Sequence, residues 1–417
     1  MGYIYDINTA KSDKTARIGI YICHMINNIL ELFLSTFLIA HIHNFSNNIY
    51  EYALNVSLYE IIGYSIMILV YHFASKLVSK TNRISIYRLS TIIWCLFVIF
   101  TIFYGQDLAK LIWLAGVFMG VSRGFYWASY NVLKQEMIGR HKMDKFATLS
   151  KVIEKFISIV FPITLGALIE VSSFSNTAII VLVICMIQIA VSFVVKSKQP
   201  VNSDYNLKKY LKRLKNNDGL SKRMKFLYTW SVIYGANTVV SILIYICTMI
   251  QFGSNLSFGI ITSIIAVATM IVAYLVGYYT KPAKRKTICI LSMIISIASV
   301  LLFVFMPTKT TIVILNFALS ITGMIFKLIF DIYRNKFLKE YGRYDDIAEH
   351  QGIVEYIIAT SRIITYIILV GVAFMHNLLI FNILLVLFVV LFSFNFIFVV
   401  VFEKKYISND SEEETNI

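Results

Sequence analysis

The stretches YNVLKQEMIGR, at 130–140, and YRNKFLKEYGR, at 333–343, share the order tyrosine, eight residues, glycine, arginine, and lie 203 positions apart. Offsets of 201–203 also relate Gly120 to Gly323, Glu154 to Glu355 and Arg83 to Arg285. A nearly constant offset over so much of the chain is typical of an internal repeat. The sequence therefore predicts two related halves.

Long apolar runs fill both halves. The hydrophobic set makes up 58% of the 417 residues, and the mean hydropathy is +0.73, whereas soluble domains are about 45–50% apolar. A helix needs about 20 apolar residues to cross the hydrocarbon core of a membrane. We therefore predict an all-α polytopic membrane protein with twelve transmembrane helices in two six-helix bundles. The spans lie at 17–41, 53–78, 86–104, 110–133, 147–169, 175–195, 226–250, 256–279, 287–306, 310–334, 351–374 and 377–402.

The net charge of +15 sits in short clusters between the apolar runs, a pattern that indicates membrane topology and not nucleic-acid binding. Nearly all of the 38 Lys and Arg lie in the termini and the even-numbered connections, whereas the odd-numbered connections hold Lys110 and Lys309. Because cytoplasmic loops collect Lys and Arg, both termini are predicted to face the cytoplasm. Richness in Ile, Lys and Asn indicates an AT-rich coding sequence, and a bacterial plasma membrane is the default location.

The predicted domains are a first bundle at 1–196, a basic linker at 197–224, a second bundle at 225–403 and a disordered acidic tail at 404–417. In the linker, Leu207, Tyr210, Leu211 and Leu214 recur at helical spacing with basic residues between them. This pattern predicts an amphipathic helix that lies on the anionic inner leaflet or binds an acidic partner.

The chain has six plus six spans, basic loops after spans 2 and 8 and a long basic central connection. In these features it resembles the major facilitator superfamily over essentially its whole length. The loop signature of that family, G-x-x-x-D-R-x-G-R-R, is represented by SKLVSKTNR at 75–83 and by GYYTKPAKRK at 277–286, with Ser79 or Lys281 at the acidic position. The resemblance implies two halves that rock about a site at mid-membrane.

Gating residues are expected at the cytoplasmic ends of the spans. The basic loops contribute Arg83 and Arg285, and the matched repeat positions Glu154 and Glu355 lie near cytoplasmic helix ends. We predict that these glutamates form gating pairs with loop arginines.

Ionisable residues within membrane spans are costly and usually face a cavity or a partner. The residues of this kind are Glu31, Glu60, Arg123, Glu154, Lys327, Asp331, Glu355 and Arg362, whereas spans 3, 6, 9 and 12 have no charge in their interiors. In the superfamily that this chain resembles, the first helix of each three-helix unit lines a central cavity and the third faces lipid. The distribution of charge fits that division.

The first span carries His24, Asn27, Asn28 and Glu31 on one face. This stripe is either a substrate or proton site or a polar seam between helices. We assign Asn27 to substrate binding and Glu31 to proton coupling, with Glu60 and Asp331 as further proton-coupling candidates.

The fourth span carries Arg123, Trp127 and Asn131 on one face. Arg123 either holds a substrate carboxylate or pairs with Glu31 or Glu60. Trp127 and Asn131 are assigned to the substrate pocket, although aromatic stripes also serve packing.

Spans 10 and 11 contribute Lys327, Asp331 and Arg362. Lys327 and Asp331, at i and i+4, favour an intrahelical ion pair. We assign Lys327 and Arg362 to substrate binding.

No catalytic carboxylate pair, nucleotide-binding loop or His/Cys metal cluster is seen in the sequence, so we expect neither an enzyme nor a cofactor. The predicted function is a monomeric, proton-coupled secondary carrier that moves a small organic solute by alternating access, with export favoured. A lipid or lipid-linked flippase of the same fold and a non-transporting membrane receptor remain the alternatives.

Overall fold

The computed structural model describes residues 14–46, 48–104, 107, 110–138, 143–172, 174–195, 205–216, 218–252, 255–279, 282–341 and 347–402. Their main elements are α-helices. The bounds are α1 Lys14–Phe45, α2 Ile49–Lys80, α3 Arg83–Tyr104, α4 Ile112–Met137, α5 Met143–Val171, α6 Phe174–Ser192, α7 Leu207–Lys215, α8 Asp218–Ala236, α9 Thr238–Phe252, α10 Asn255–Tyr279, α11 Pro282–Phe305, α12 Lys309–Tyr341, α13 Ile347–Phe374, α14 Leu378–Ser393 and α15 Asn395–Phe402.

These helices follow the twelve predicted spans. The seventh span is divided at Asn237 into α8 and α9, and the twelfth at Phe394 into α14 and α15, while α7 belongs to the linker. Seven helical stretches among the described residues are by themselves long and apolar enough to cross a membrane, and three shorter apolar helices accompany them. The predicted fold class is confirmed. The predicted domain boundaries stay a prediction, and the tail at 404–417 lies outside the described residues.

A glycine seam joins α2 to α4 within the first half. A Cβ atom added at Gly120 would lie 2.5 Å from the carbonyl oxygen of Gly63, and one added at Gly124 would lie 2.7 Å from the side chain of Val70. Small residues let membrane helices approach this closely. The seam therefore fixes the spacing between α2 and α4.

The two halves meet along two helix pairs, α2 with α13 and α5 with α10. Along the first pair, the rings of Tyr64 and Tyr366 lie 6.4 Å apart and those of Tyr71 and Tyr356 lie 5.8 Å apart. In the second pair, Thr148 of α5 lies directly against Gly277 of α10. These contacts enclose a space between the halves.

The linker docks at the end of the molecule where α2, α4 and α12 finish, which we call the basic end. Its helix α7 buries Tyr210, whose hydroxyl lies 3.0 Å from Nδ1 of His350, and the backbone N–H of Asn206 donates to Glu349 at 2.9 Å. The lysines of α7 are exposed. Tyr210 and Leu214 of the predicted amphipathic helix therefore pack on the protein, whereas Leu211 and the lysines are exposed.

Tyr205, just before α7, bridges the halves at the basic end. Its hydroxyl lies 3.2 Å from that of Tyr356 on α13, and its ring meets His72 of α2 edge-on at 5.6 Å. Burial raises the pKa of the Tyr205 phenol above its ordinary value, so the hydroxyl stays neutral at physiological pH. The linker thereby contacts both halves.

Candidate functional site

A cavity of about 390 Å³ lies between the halves. Helices α1, α2, α4 and α5 line one side, and α8, α12 and α13 line the other. Its charged lining residues are Glu31, Arg123, Lys134, Lys151, Glu154, Lys155, Asp331, Arg334, Glu355 and Arg362. Cations thus outnumber carboxylates by six to four among the described lining residues, so the charged groups of this lining sum to a net positive charge.

Arg123 of α4 is held by two carboxylates. Its Nε and Nη2 donate to Oε1 of Glu31 at 2.9 and 2.8 Å, and its Nη1 donates to Oε2 of Glu60 at 3.4 Å. Glu31 faces the cavity with 26% of its side chain exposed, whereas Glu60 lies behind Arg123 and is buried. Of the two uses considered for Arg123, pairing with the glutamates is the one that the structure shows.

Arg362 of α13 is placed differently. Its guanidinium lies 4.9 Å from the ring centre of Tyr64, and the same ring lies 5.5 Å from the guanidinium of Arg123. No carboxylate of a described residue lies within 4.0 Å of Arg362, and its buried Nε has no hydrogen-bond partner. The contact with the Tyr64 ring is a cation–π interaction.

Glu355 and Asn131 connect the halves. Oε1 of Glu355 accepts from Nη2 of Arg334 at 2.9 Å and from Nδ2 of Asn131, on α4, at 3.3 Å. Arg334 also donates to Gln351 at 2.6 Å. Asn131, predicted to contact substrate, thus lines the cavity but bonds to the opposite half.

A second connection between the halves runs through Lys151 of α5. Its ammonium lies 2.8 Å from Glu154 on the same helix and 3.6 Å from Asp331 on α12. The ion pair of Asp331 is thus with the opposite half, not with Lys327 as predicted. The partners of Glu154 and Glu355 are likewise Lys151 and Arg334, not the loop arginines that we expected.

The loop arginines lie away from the cavity. Arg83 forms a buried ion pair with Glu136 at the end of α4, within the same half. Arg285 is buried, with its guanidinium 5.6 Å from the ring centre of Tyr333. The gating role of Arg83 and Arg285 stays a prediction.

An aromatic wall bounds the cavity beside α1. Nδ1 of His24 lies 2.5 Å from the hydroxyl of Tyr126, and its ring stacks on Tyr130 at 4.5 Å. Trp127 meets His24 edge-on at 6.4 Å. This wall gives flat, partly apolar groups a surface to stack on.

Most of the predicted site residues come together. Those that line the cavity are Glu31, Arg123, Trp127, Asn131, Glu154, Asp331, Glu355 and Arg362. Asn27 does not, because its Oδ1 accepts a hydrogen bond from Trp94 of α3 at 3.2 Å; the neighbouring Asn28 faces the cavity with an unbonded, buried Nδ2. Lys327 lies beside the cavity lining on α12.

Sequence reasoning missed Tyr64, Lys134, Lys151 and Lys155. The lysines lie near the predicted cytoplasmic ends of the spans. Positive charge at such positions indicates which side of the membrane a helix end faces, and does not by itself indicate a binding site. The long side chains of these lysines carry the ammonium groups inward. Tyr64 is one of 26 tyrosines, and no spacing distinguishes it.

Comparison with known proteins gives one family model that covers most of the chain. The sequence model of the Major Facilitator Superfamily matches residues 20–343. The uncharacterized protein YqgE of Bacillus subtilis strain 168 is 25% identical over 117 residues, 28% of this chain and 27% of that protein. A Geobacillus stearothermophilus protein, described as an uncharacterized protein in the sodM 3' region, is 25% identical over 116 residues, 28% of this chain and 54% of that protein. The matches therefore span about a quarter and about half of these relatives.

The solved structures that share the fold include two transporters. The crystal structure of the human organic anion transporter MFSD10 (TETRAN) superposes with a TM-score of 0.71 at 11% identity, over 93% of this chain and 99% of that one. A bacterial homologue of the iron transporter ferroportin, in an outward-facing state with soaked iron, gives a TM-score of 0.61 at 12% identity, over 93% and 98%. Identities this low show similarity of fold alone.

Proposed function

Because the chain belongs to the Major Facilitator Superfamily of membrane transporters, we propose that it is a secondary carrier that moves a small organic anion by alternating access. A single chain contains both halves and the whole cavity, so a monomer is the transporting unit. We place it in the plasma membrane with the basic end, and hence both termini, in the cytoplasm.

The observation that carries the proposal is the state of Arg362. Arg123 and Arg334 are each bound by glutamate, whereas Arg362 faces the cavity with no carboxylate of a described residue within 4.0 Å. An unpaired charge at membrane depth is costly. An anionic group of the substrate would supply the missing partner through charge-assisted hydrogen bonds.

Proton coupling is assigned to the carboxylates around Arg123. Two glutamates against one guanidinium leave one negative charge in excess, and a proton is the smallest ion that neutralises it. Glu31 is the group that takes up the proton, because it faces the cavity, while Glu60 stays paired behind Arg123. Export is the proposed direction, since the aromatic wall suits partly apolar solutes.

The test compares solutes inside and outside cells that express the intact protein, Arg362→Gln or Arg88→Gln at matched membrane levels. Arg88 is a matched control, because it is a membrane arginine bonded to Ser192 on the far side of the first half. We expect a set of anionic compounds to shift with the intact protein and the control. Hydrogen bonds to one charged group contribute about 1.5–3 kcal/mol to the binding free energy. We therefore expect Arg362→Gln to bind the transported anion at least tenfold more weakly.

Two outcomes would contradict the proposal. Shifted compounds that are neutral or cationic would exclude Arg362 as an anion anchor. Identical profiles for all three proteins and for cells without the protein would favour the lipid flippase or the receptor.

A further inference from the structure

Lys134 of α4, which lines the cavity, has no carboxylate of a described residue within 4.0 Å and lies 5.6 Å from the Tyr130 ring centre. Three further cations at or beside the cavity also lack such a partner. They are Lys155 of α5, Lys327 of α12 and Arg362 of α13, and among the described residues no carboxylate lies within 4.0 Å of any of them. They come from both halves. Lys155 and Arg362 line the cavity, and Lys327 lies about one helical turn before Asp331, which also lines it.

The carboxylates of the cavity are already engaged. Glu31 is bound to Arg123, Glu355 is bound to Arg334, and Glu154 and Asp331 share Lys151. Neutralising the three cations from within the described protein would therefore break an existing ion pair. Like charges gathered in a low-dielectric site are costly unless an external partner compensates them.

We infer that the substrate is a small organic dianion, with one acidic group on Arg362 and the other on Lys327 and Lys155. This inference rests on the proposed function and sharpens its substrate class. A monoanion would satisfy Arg362 alone and leave two repelling ammonium groups. A dianion neutralises charge from both halves at once, and its binding draws α5 towards α12 and α13.

The experiment uses the purified full-length protein and measures thermal stabilisation by pairs of anions that differ in charge. Phenyl phosphate is compared with phenyl sulfate at pH 8, where the phosphate carries nearly two charges and the sulfate one. Phthalate is compared with its monoamide, phthalamate, so that a preference for phosphate is distinguished from a preference for dicarboxylate. Each titration is repeated for Lys155→Gln, Lys327→Gln, Arg362→Gln and the control Arg88→Gln.

We expect a dianion of at least one pair to bind at least tenfold more tightly than its monoanion. Lys155→Gln and Lys327→Gln should each weaken the dianion about tenfold, the effect of one lost charge-assisted bond, and leave the monoanion unchanged. Arg362→Gln should weaken both. The Arg88→Gln control should match the intact protein.

Equal affinity for the members of both pairs would overturn the dianion inference and leave the proposed anion carrier standing. So would a Lys155→Gln or Lys327→Gln variant that weakens monoanion and dianion alike. Failure of every anion to stabilise any variant would count against the anion carrier itself.

Discussion

Replacing Arg123 with glutamine removes the only positive charge that contacts Glu31 and Glu60 among the described residues. Two carboxylates then face each other without a cation, one of them buried. Removing one partner of a buried pair costs about 3–5 kcal/mol, because the remaining charge is left uncompensated. Because Glu31 is partly exposed to the cavity and solvent screens its charge, we expect the free energy of unfolding to fall by about 3 kcal/mol, the lower end of this range.

The corresponding change in melting temperature follows from the size of the unfolding unit. For a unit of about 150–250 residues, 1 kcal/mol shifts Tm by about 2–4 °C. Arg123→Gln is therefore expected to lower the apparent Tm of the purified protein by about 6–12 °C. The triple variant Glu31→Gln, Glu60→Gln and Arg123→Gln removes all three charges, and we expect it to recover at least half of that loss.

The assay is thermal unfolding of the detergent-solubilised protein, followed by intrinsic tryptophan fluorescence. Lys110→Gln serves as the control, because Lys110 pairs with Asp107 while both side chains are about two-thirds exposed. An exposed pair contributes about 0.2–1 kcal/mol, so the control should shift Tm little. A triple variant less stable than Arg123→Gln alone would refute the electrostatic reasoning, as would a single variant indistinguishable from the control.

Two further predictions concern packing. Gly120→Leu inserts a side chain into the glycine seam, and we expect the free energy of unfolding to fall by about 1–3 kcal/mol in a thermal-unfolding measurement. The control is Gly371→Leu, because a Cβ atom added at Gly371 meets nothing within 4 Å, and it should lose no stability. Equal losses in the two variants would disprove the role of the seam. Tyr205→Ala removes the side chain that contacts both halves, so amide hydrogen exchange at the start of α13 should accelerate. Exchange in α3 should stay unchanged. Unaltered exchange in α13 would show that the Tyr205 bridge does not stabilise this helix.

Much of the fold was predictable because a membrane imposes length and polarity on every span. The twelve spans, their grouping in two halves and the amphipathic linker helix all follow from hydropathy, charge and the repeat. The breaks at Asn237 and Phe394 were not predicted. They lie within continuous apolar runs, and hydropathy carries no information on a local change of helix direction.

The sequence identifies most of the residues that line the cavity, but not the residues with which they form ion pairs and hydrogen bonds. Ionisable groups stand out in an apolar span, so Arg123 and Arg362 could be identified from the sequence. Spacing along one helix identifies neighbours on that helix, which led to the expected pair of Lys327 with Asp331. The actual partner, Lys151, belongs to another helix, and only the packing of the two halves brings it within reach.

The polar stripe on α1 shows that neighbouring residues of one helix can face different surroundings. Successive residues on a helix are separated by about 100°, so Asn27 and Asn28 point in clearly different directions. Asn27 bonds to Trp94 inside the first half, and Asn28 faces the cavity. A polar stripe wide enough to include both cannot decide between them without the neighbouring helices.

The glycine seam also fixes the geometry of the contact between the arginines of the two halves. Because α2 and α4 touch backbone to backbone, the seam holds Tyr64, on α2, in a defined position relative to Arg123, on α4. The ring of Tyr64 lies against the guanidinium groups of both Arg123 and Arg362. A change in the packing of α2 against α4 would therefore displace the aromatic contact that joins the arginines of the two halves.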